Sequence, residues 1–116
     1  MPQRKKRTLQ ASSGPDSAEL ARRREECLRP WPTLGYDHDE LGSYMLSCAV
    51  LDLAESEFRR AVWLNPYEPR FKWHLAWCLY RRKRFVEARE WMEQVPVDGL
   101  SDTEREMRRW IAEGAT

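Results

Sequence analysis

The sequence predicts an all-α fold, with helix-turn-helix units stacked into a short array. Three observations support this. No segment alternates apolar and polar residues with the β-branched enrichment of a strand. From residue 36 onward apolar residues recur at helical spacing, and the pattern breaks near Ala49-Val50, Asn65-Pro66, Arg82-Arg84 and Pro96-Gly99. The pieces between breaks are helices of about 10 to 14 residues, an ordinary length. The third observation is that the chain matches itself when shifted by 34 residues, as arrays of repeated helical units do.

Each element follows in order. Residues 1–15, "MPQRKKRTLQASSGP", are basic and then Ser/Gly/Pro-containing, and they read as a disordered tail. The rest, 16–116, reads as one domain. Residues 16–32 hold a helix that Asp16 or Ser17 can cap, with Leu20, Ala21, Cys27 and Leu28 as a thin apolar stripe and Pro30 and Pro32 as its end. Trp31-Pro32-Thr33-Leu34-Gly35 then reads as an ordered turn. Residues 35–68 and 69–100 are two helix pairs. Residues 101–114 are a final helix, in which Ser101 and Glu104 form a capping box and Met107, Trp110 and Ile111 form the apolar stripe.

The 34-residue shift places Leu41-Gly42 on Leu75-Ala76, Met45 on Leu79, Leu51 on Phe85, Ala54 on Ala88 and Phe58 on Met92. Size and polarity are kept at each position. The first pair reads His38-x2-Leu41-Gly42-x2-Met45, then Ala54-x3-Phe58, then Ala61 and Pro66. The second reads Lys72-x2-Leu75-Ala76-x2-Leu79, then Ala88-x3-Met92, then Val95. This resembles the tetratricopeptide repeat, W-x2-L-G-x2-Y followed by A-x3-F and P. Small residues let two helices approach, large apolar ones fill the groove between them, and Pro ends the unit. The sequence departs from that pattern in three ways. His38 and Lys72 replace the first aromatic, Lys83 replaces a small residue at the turn, and Pro96 comes four residues early, which should shorten the preceding helix by a turn. The resemblance implies a short right-handed solenoid and a role in protein–protein interaction, as adaptor, scaffold or chaperone-like holder of a partner segment bound through the concave face of the repeat helices. Relatives that clamp a terminal carboxylate use Lys, Asn and Arg on their first helices. Here those positions hold Asp39, Ser43 and His74, so that role is not expected.

Composition narrows the function classes. The net charge is +1 over 116 residues, so no overall field draws the protein onto nucleic acid or lipid. The charge is segregated, however. Residues 70–92 carry seven Lys/Arg and two Asp/Glu, while 31–69 carry two and seven. No run of about 18 apolar residues exists, so no membrane span is expected, and Met1–Arg7 has no apolar stretch behind it that would make a secretory signal. The three cysteines are odd in number, lack a CxxC and lie in helical patterns. They read as buried thiols of a reducing, cytoplasmic setting, or of a nuclear one in a eukaryote. No phosphate loop or nucleophile motif is present, and no enzyme activity, cofactor or metal is expected. His38, in Asp37-His38-Asp39-Glu40, reads as part of an acidic helix start. Glu55, Glu57, Glu87 and Glu90 read as solvated.

The candidate site is the stretch "RFKWHLAWCLYRRKRF" at 70–85. With Leu75, Ala76 and Leu79 turned inward, Arg70, Trp73, Trp77, Tyr80 and Arg81 share the opposite helix face. A solvent-facing Trp pair is unusual, so something must cover Trp73 and Trp77. Three covers remain open. The first is the chain itself, through Trp31 and the N-terminal helix or through Trp110. The second is a protein or peptide partner, held by the aromatics with Arg70 and Arg81 pairing acidic groups. The third is a neighbouring subunit, with the chain a structural part of a homo-oligomer or of a larger complex. The basic clusters 4–7 and 81–84 offer a nucleic-acid alternative, or for 81–84 simply cations complementing a helix C-terminus.

Overall fold

A computed structural model describes residues 16–114, and among them every regular element is helical. The helices are α1 (Ser17–Leu28), α2 (Tyr36–Ser47), α3 (Leu51–Leu64), α4 (Pro69–Arg81), α5 (Phe85–Met92) and α6 (Asp102–Gly114). The expected tail, 1–15, lies outside the described residues. No helix is long and apolar enough to cross a membrane, among the residues described.

Local chemistry sets the boundaries. Asp16 Oδ1 accepts the Glu19 N–H at 2.7 Å and starts α1. Pro69 stands in the first turn of α4 behind the cap Glu68, where its missing N–H costs nothing. At α6 the capping box forms in both directions. Ser101 Oγ accepts from the Glu104 N–H at 3.1 Å, and Glu104 Oε1 accepts from the Ser101 N–H at 2.9 Å. The early Pro96 has the expected effect, because α5 has eight residues against fourteen in α3.

The two three-residue turns, 48–50 and 82–84, use one hydrogen-bond scheme. The Cys48 N–H reaches the Tyr44 and Met45 carbonyls, Ala49 reaches Leu46, and Val50 reaches Met45. Thirty-four residues on, Arg82 reaches Cys78 and Leu79, Lys83 reaches Tyr80, and Arg84 reaches Leu79. This satisfies the last carbonyls of α2 and α4. So short a turn brings the next helix back beside the last, and α2 packs on α3 and α4 on α5. α4 also contacts α2, α3 and α6, so it occupies the middle of the array.

The core is built from Phe58, Leu64, Phe71, Leu75, Leu79 and Ile111, all inaccessible to solvent. Ala54, Ala61, Ala76 and Ala88 are also fully buried, at the close approaches between helices. Gly42 makes another close approach, because a Cβ there would sit 2.7 Å from the Phe58 ring. Equivalent positions do not share the same burial. Leu75, on the central α4, is fully covered, whereas Leu41, its counterpart on α2, is 44% exposed. The reason is position in the array, since α4 is packed by α2, α3, α5 and α6, whereas α2 packs chiefly on α3.

The turn after α1 is ordered, as expected. The Trp31 N–H donates to the Leu64 carbonyl at 3.1 Å, and Asn65, buried, donates to the Pro32 and Leu34 carbonyls at 3.1 and 3.0 Å. Two expectations need correction. Cys27 and Cys48 are exposed, and only Cys78 is buried. α1 buries none of its residues, and Cys48 lies in a turn. Glu55 is buried rather than solvated, because three arginines close over it.

Candidate partner-binding face

The helical period of α4 puts Trp73, Trp77 and Tyr80 on one side, and α6 lies across that side. Trp77 stacks on Tyr80 with ring centroids 5.3 Å apart and 17° between planes. Trp110 of α6 approaches Trp77 at 6.4 Å, and Phe85 meets Tyr80 edge-on at 5.5 Å. Gly114 allows α6 to close down, since a Cβ there would lie 2.9 Å from the Tyr80 ring. Of the covers left open above, the chain itself supplies this one, through Trp110. Trp31 takes no part and stays 55% exposed.

The five candidate residues are therefore not equivalent. Trp73 is 7% exposed and belongs to the core cluster with Val95 and Ile111. Its indole N–H is enclosed without a hydrogen-bond partner. Trp77 and Tyr80 are half-buried, and Trp110 beside them is 44% exposed. Arg81 is exposed, but its guanidinium donates to the Leu46 carbonyl at 3.3 Å and so holds the end of α2. Arg70 is exposed at the opposite end of α4, where it borders a cleft of ≈190 Å³ with Trp73, His74, Pro96, Leu100 and Glu104. In that cleft the Ser101 backbone N–H, and then its hydroxyl, lower the Glu104 carboxyl below the usual carboxylate range, with His74 and Arg70 adding to the effect.

Two of the three positions compared above with carboxylate clamps, Asp39 and His74, are engaged with each other. His74 Nδ1 donates to Asp39 Oδ1 at 2.7 Å, and Asp39 is buried. Sequence reasoning placed no partner on His74. The signal was available in the spacing, because Asp39–His74, Leu46–Arg81 and Glu25–Arg60 are all cross-links between residues 35 apart. In the fold these residues face each other between α2 and α4 and between α1 and α3.

The basic cluster 81–84 is also largely occupied. Arg82 and Arg84 donate to Glu55 at 2.6 and 2.8 Å, and Arg84 pairs with Glu87 at 2.7 Å. Arg59 completes the group by bonding to both Glu55 and Glu87. Burial opposes the charge of Glu55. The hydrogen bond and charge of Arg59, with Arg84 and Arg82, outweigh it and hold the carboxyl below the usual range. Lys83 remains as the one exposed cation of 81–84 outside these contacts, and the other basic cluster, 4–7, lies outside the described residues. No protein-family profile, curated protein or solved structure matches the chain.

Proposed function

We propose that the chain is a tetratricopeptide-like array acting as a non-enzymatic protein–protein interaction module, with a partner segment lying along the α4–α6 side. The observation that supports this reading is the aromatic group Trp77–Tyr80–Trp110, which remains partly open to solvent although α6 has folded onto it. Large, half-covered aromatic rings beside arginines are the composition of interaction hot spots. Here Arg70 and the adjoining cleft lie at the other end of the same helix. Trp73 contributes as the floor beneath this surface rather than as a contact. The occupied arginines at 82 and 84 weigh against the nucleic-acid alternative.

The test is affinity capture from native lysate with wild type, Trp110→Ala and Arg70→Glu in parallel, followed by circular dichroism of each. Both residues are exposed enough to be changed without opening the core. Loss of the captured protein with helicity retained is the expected outcome. Undiminished capture by both variants would sink the proposal.

A further inference from the structure

α1 is attached to the protein in an unusual way. It buries no residue, and its apolar Leu20 and Leu28 are 48% and 53% exposed. A cavity of ≈560 Å³ is lined by Ala18, Ala21 and Arg22 on one side and by His38 and Arg60 on the other. Hydrophobic packing therefore does not hold α1, and its contacts are polar.

The central contact is His38 on α2. Its Nε2 lies 3.0 Å from Glu25 Oε1 on α1, and its Nδ1 lies 3.0 Å from Glu57 Oε1 on α3. A neutral imidazole has one N–H and one lone pair. In this geometry the lone pair would face a carboxylate, and only the imidazolium donates to both. Among the other charged groups near the ring, Arg60 on α3 reaches Glu25 at 3.3 Å and Glu26 at 3.6 Å. Asp16, Glu19 and Arg22 line the same cavity from α1 and its cap, while Asp37 and Asp39 are neighbours of His38 in sequence on α2. Beyond the end of α1 the chain has a separate anchor. Arg29 donates to the Trp63 carbonyl at 3.2 Å and lies 3.9 Å over its ring, and the Trp31 N–H holds the Leu64 carbonyl.

We infer that His38 is a proton-controlled latch for α1. The imidazolium bridges Glu25 to Glu57 and holds the helix against the array. Once the ring loses a proton it can donate to only one of the two carboxylates, so the bridge opens and α1 swings about residues 29–31. Arg60 keeps a weaker hold on Glu25, so the change is a shift between a docked and a released arm.

Thiol labels at the two ends of the contact provide the measurement. Cys27 on α1 and Cys48 at the end of α2 are exposed, while Cys78 is buried. Cys27 lies too near residues 29–31 to move far, so nitroxide labels go on Cys48 and on a Ser17→Cys at the free end of α1, with Cys27→Ser. Pulsed electron-spin distance measurement in the full-length chain then reports the arm's position, with His38 kept as the wild type. The wild type is expected to give one narrow distance at pH 5.5 and a broadened distribution with a longer component at pH 8.5. His38→Gln should be broad at both values, and His38→Lys, a lasting cation, should be narrow at both. A wild-type distribution that does not change with pH overturns the latch, and so does a pH response that survives in His38→Gln. Circular dichroism of each variant checks that the array itself is intact.

Discussion

Ala49 and Lys83 stand 34 residues apart and share a left-handed backbone, with φ of 62° and 66°. Each is the middle residue of a three-residue turn whose hydrogen bonds match the other's. A side chain in this conformation crowds the following carbonyl, at a cost of roughly 1–2 kcal/mol for a non-glycine residue. The turn is kept because it places each second helix against its first.

Lys83→Gly is expected to relieve that strain. Lys83 is exposed and makes no ion pair that would be lost, so the variant should gain about 1 kcal/mol. Urea unfolding followed at 222 nm checks it. A midpoint unchanged or lowered would mean that the turn is not strained at this residue.

Gly42→Ala should act in the opposite direction. The added Cβ would sit 2.7 Å from the buried Phe58 ring, and overpacking of this kind costs about 1–3 kcal/mol. The matching positions in the second unit are Ala76 and Met92, both buried. Phe58→Met combined with Gly42→Ala should therefore cost less than the two changes added together. A double-mutant cycle with zero coupling would refute the contact.

Acid should weaken the array through Glu55 and Glu87. Arg59 and its neighbours hold Glu55 low against the effect of burial, and the Arg59 hydrogen bond is the main cause of lowering at Glu87. A carboxyl lower in the folded chain than in the unfolded one contributes stability that is complete above the unfolded value, about 4.3. The contribution is lost as pH falls through the folded value. Glu55→Gln, leaving three arginines that are 32–44% exposed around a neutral group, should lose about 1–2 kcal/mol at pH 7. Its melting temperature should also fall less than the wild type's between pH 6 and pH 2. Parallel acid profiles for the two proteins would contradict the assignment.

Thiol chemistry should separate the cysteines. Burial, assisted by the charge of Glu55, pushes the Cys78 thiol up to about 11, while Cys27 and Cys48 are open to solvent. At pH 8 a chromogenic disulfide reagent should titrate two thiols per native chain quickly and the third only after unfolding. Three fast thiols would show that α3 and the 82–84 turn do not seal Cys78.

The amino-acid sequence by itself determined where the helices begin and end. Caps at Asp16 and Ser101, the breaks at 48–50, 65–68 and 82–84, and the shortening of α5 by Pro96 all arise from bonds within a few residues of each other. Helical spacing also identified the residues that share a face, including Arg70, Trp73, Trp77 and Tyr80. What lies opposite a face was decided only in three dimensions. Leu41 and Leu75 hold the same place in the 34-residue pattern, yet one is 44% exposed and the other fully covered, because α4 is packed by α2, α3, α5 and α6 and α2 chiefly by α3. Trp73 became floor and Trp110 became surface when α6 crossed α4. Glu55 changed from a solvated acid to the centre of an arginine cluster when α5 and its turn folded back on α3. Burial and charge pairing depend on neighbours far along the chain, and a local pattern of residues does not specify them.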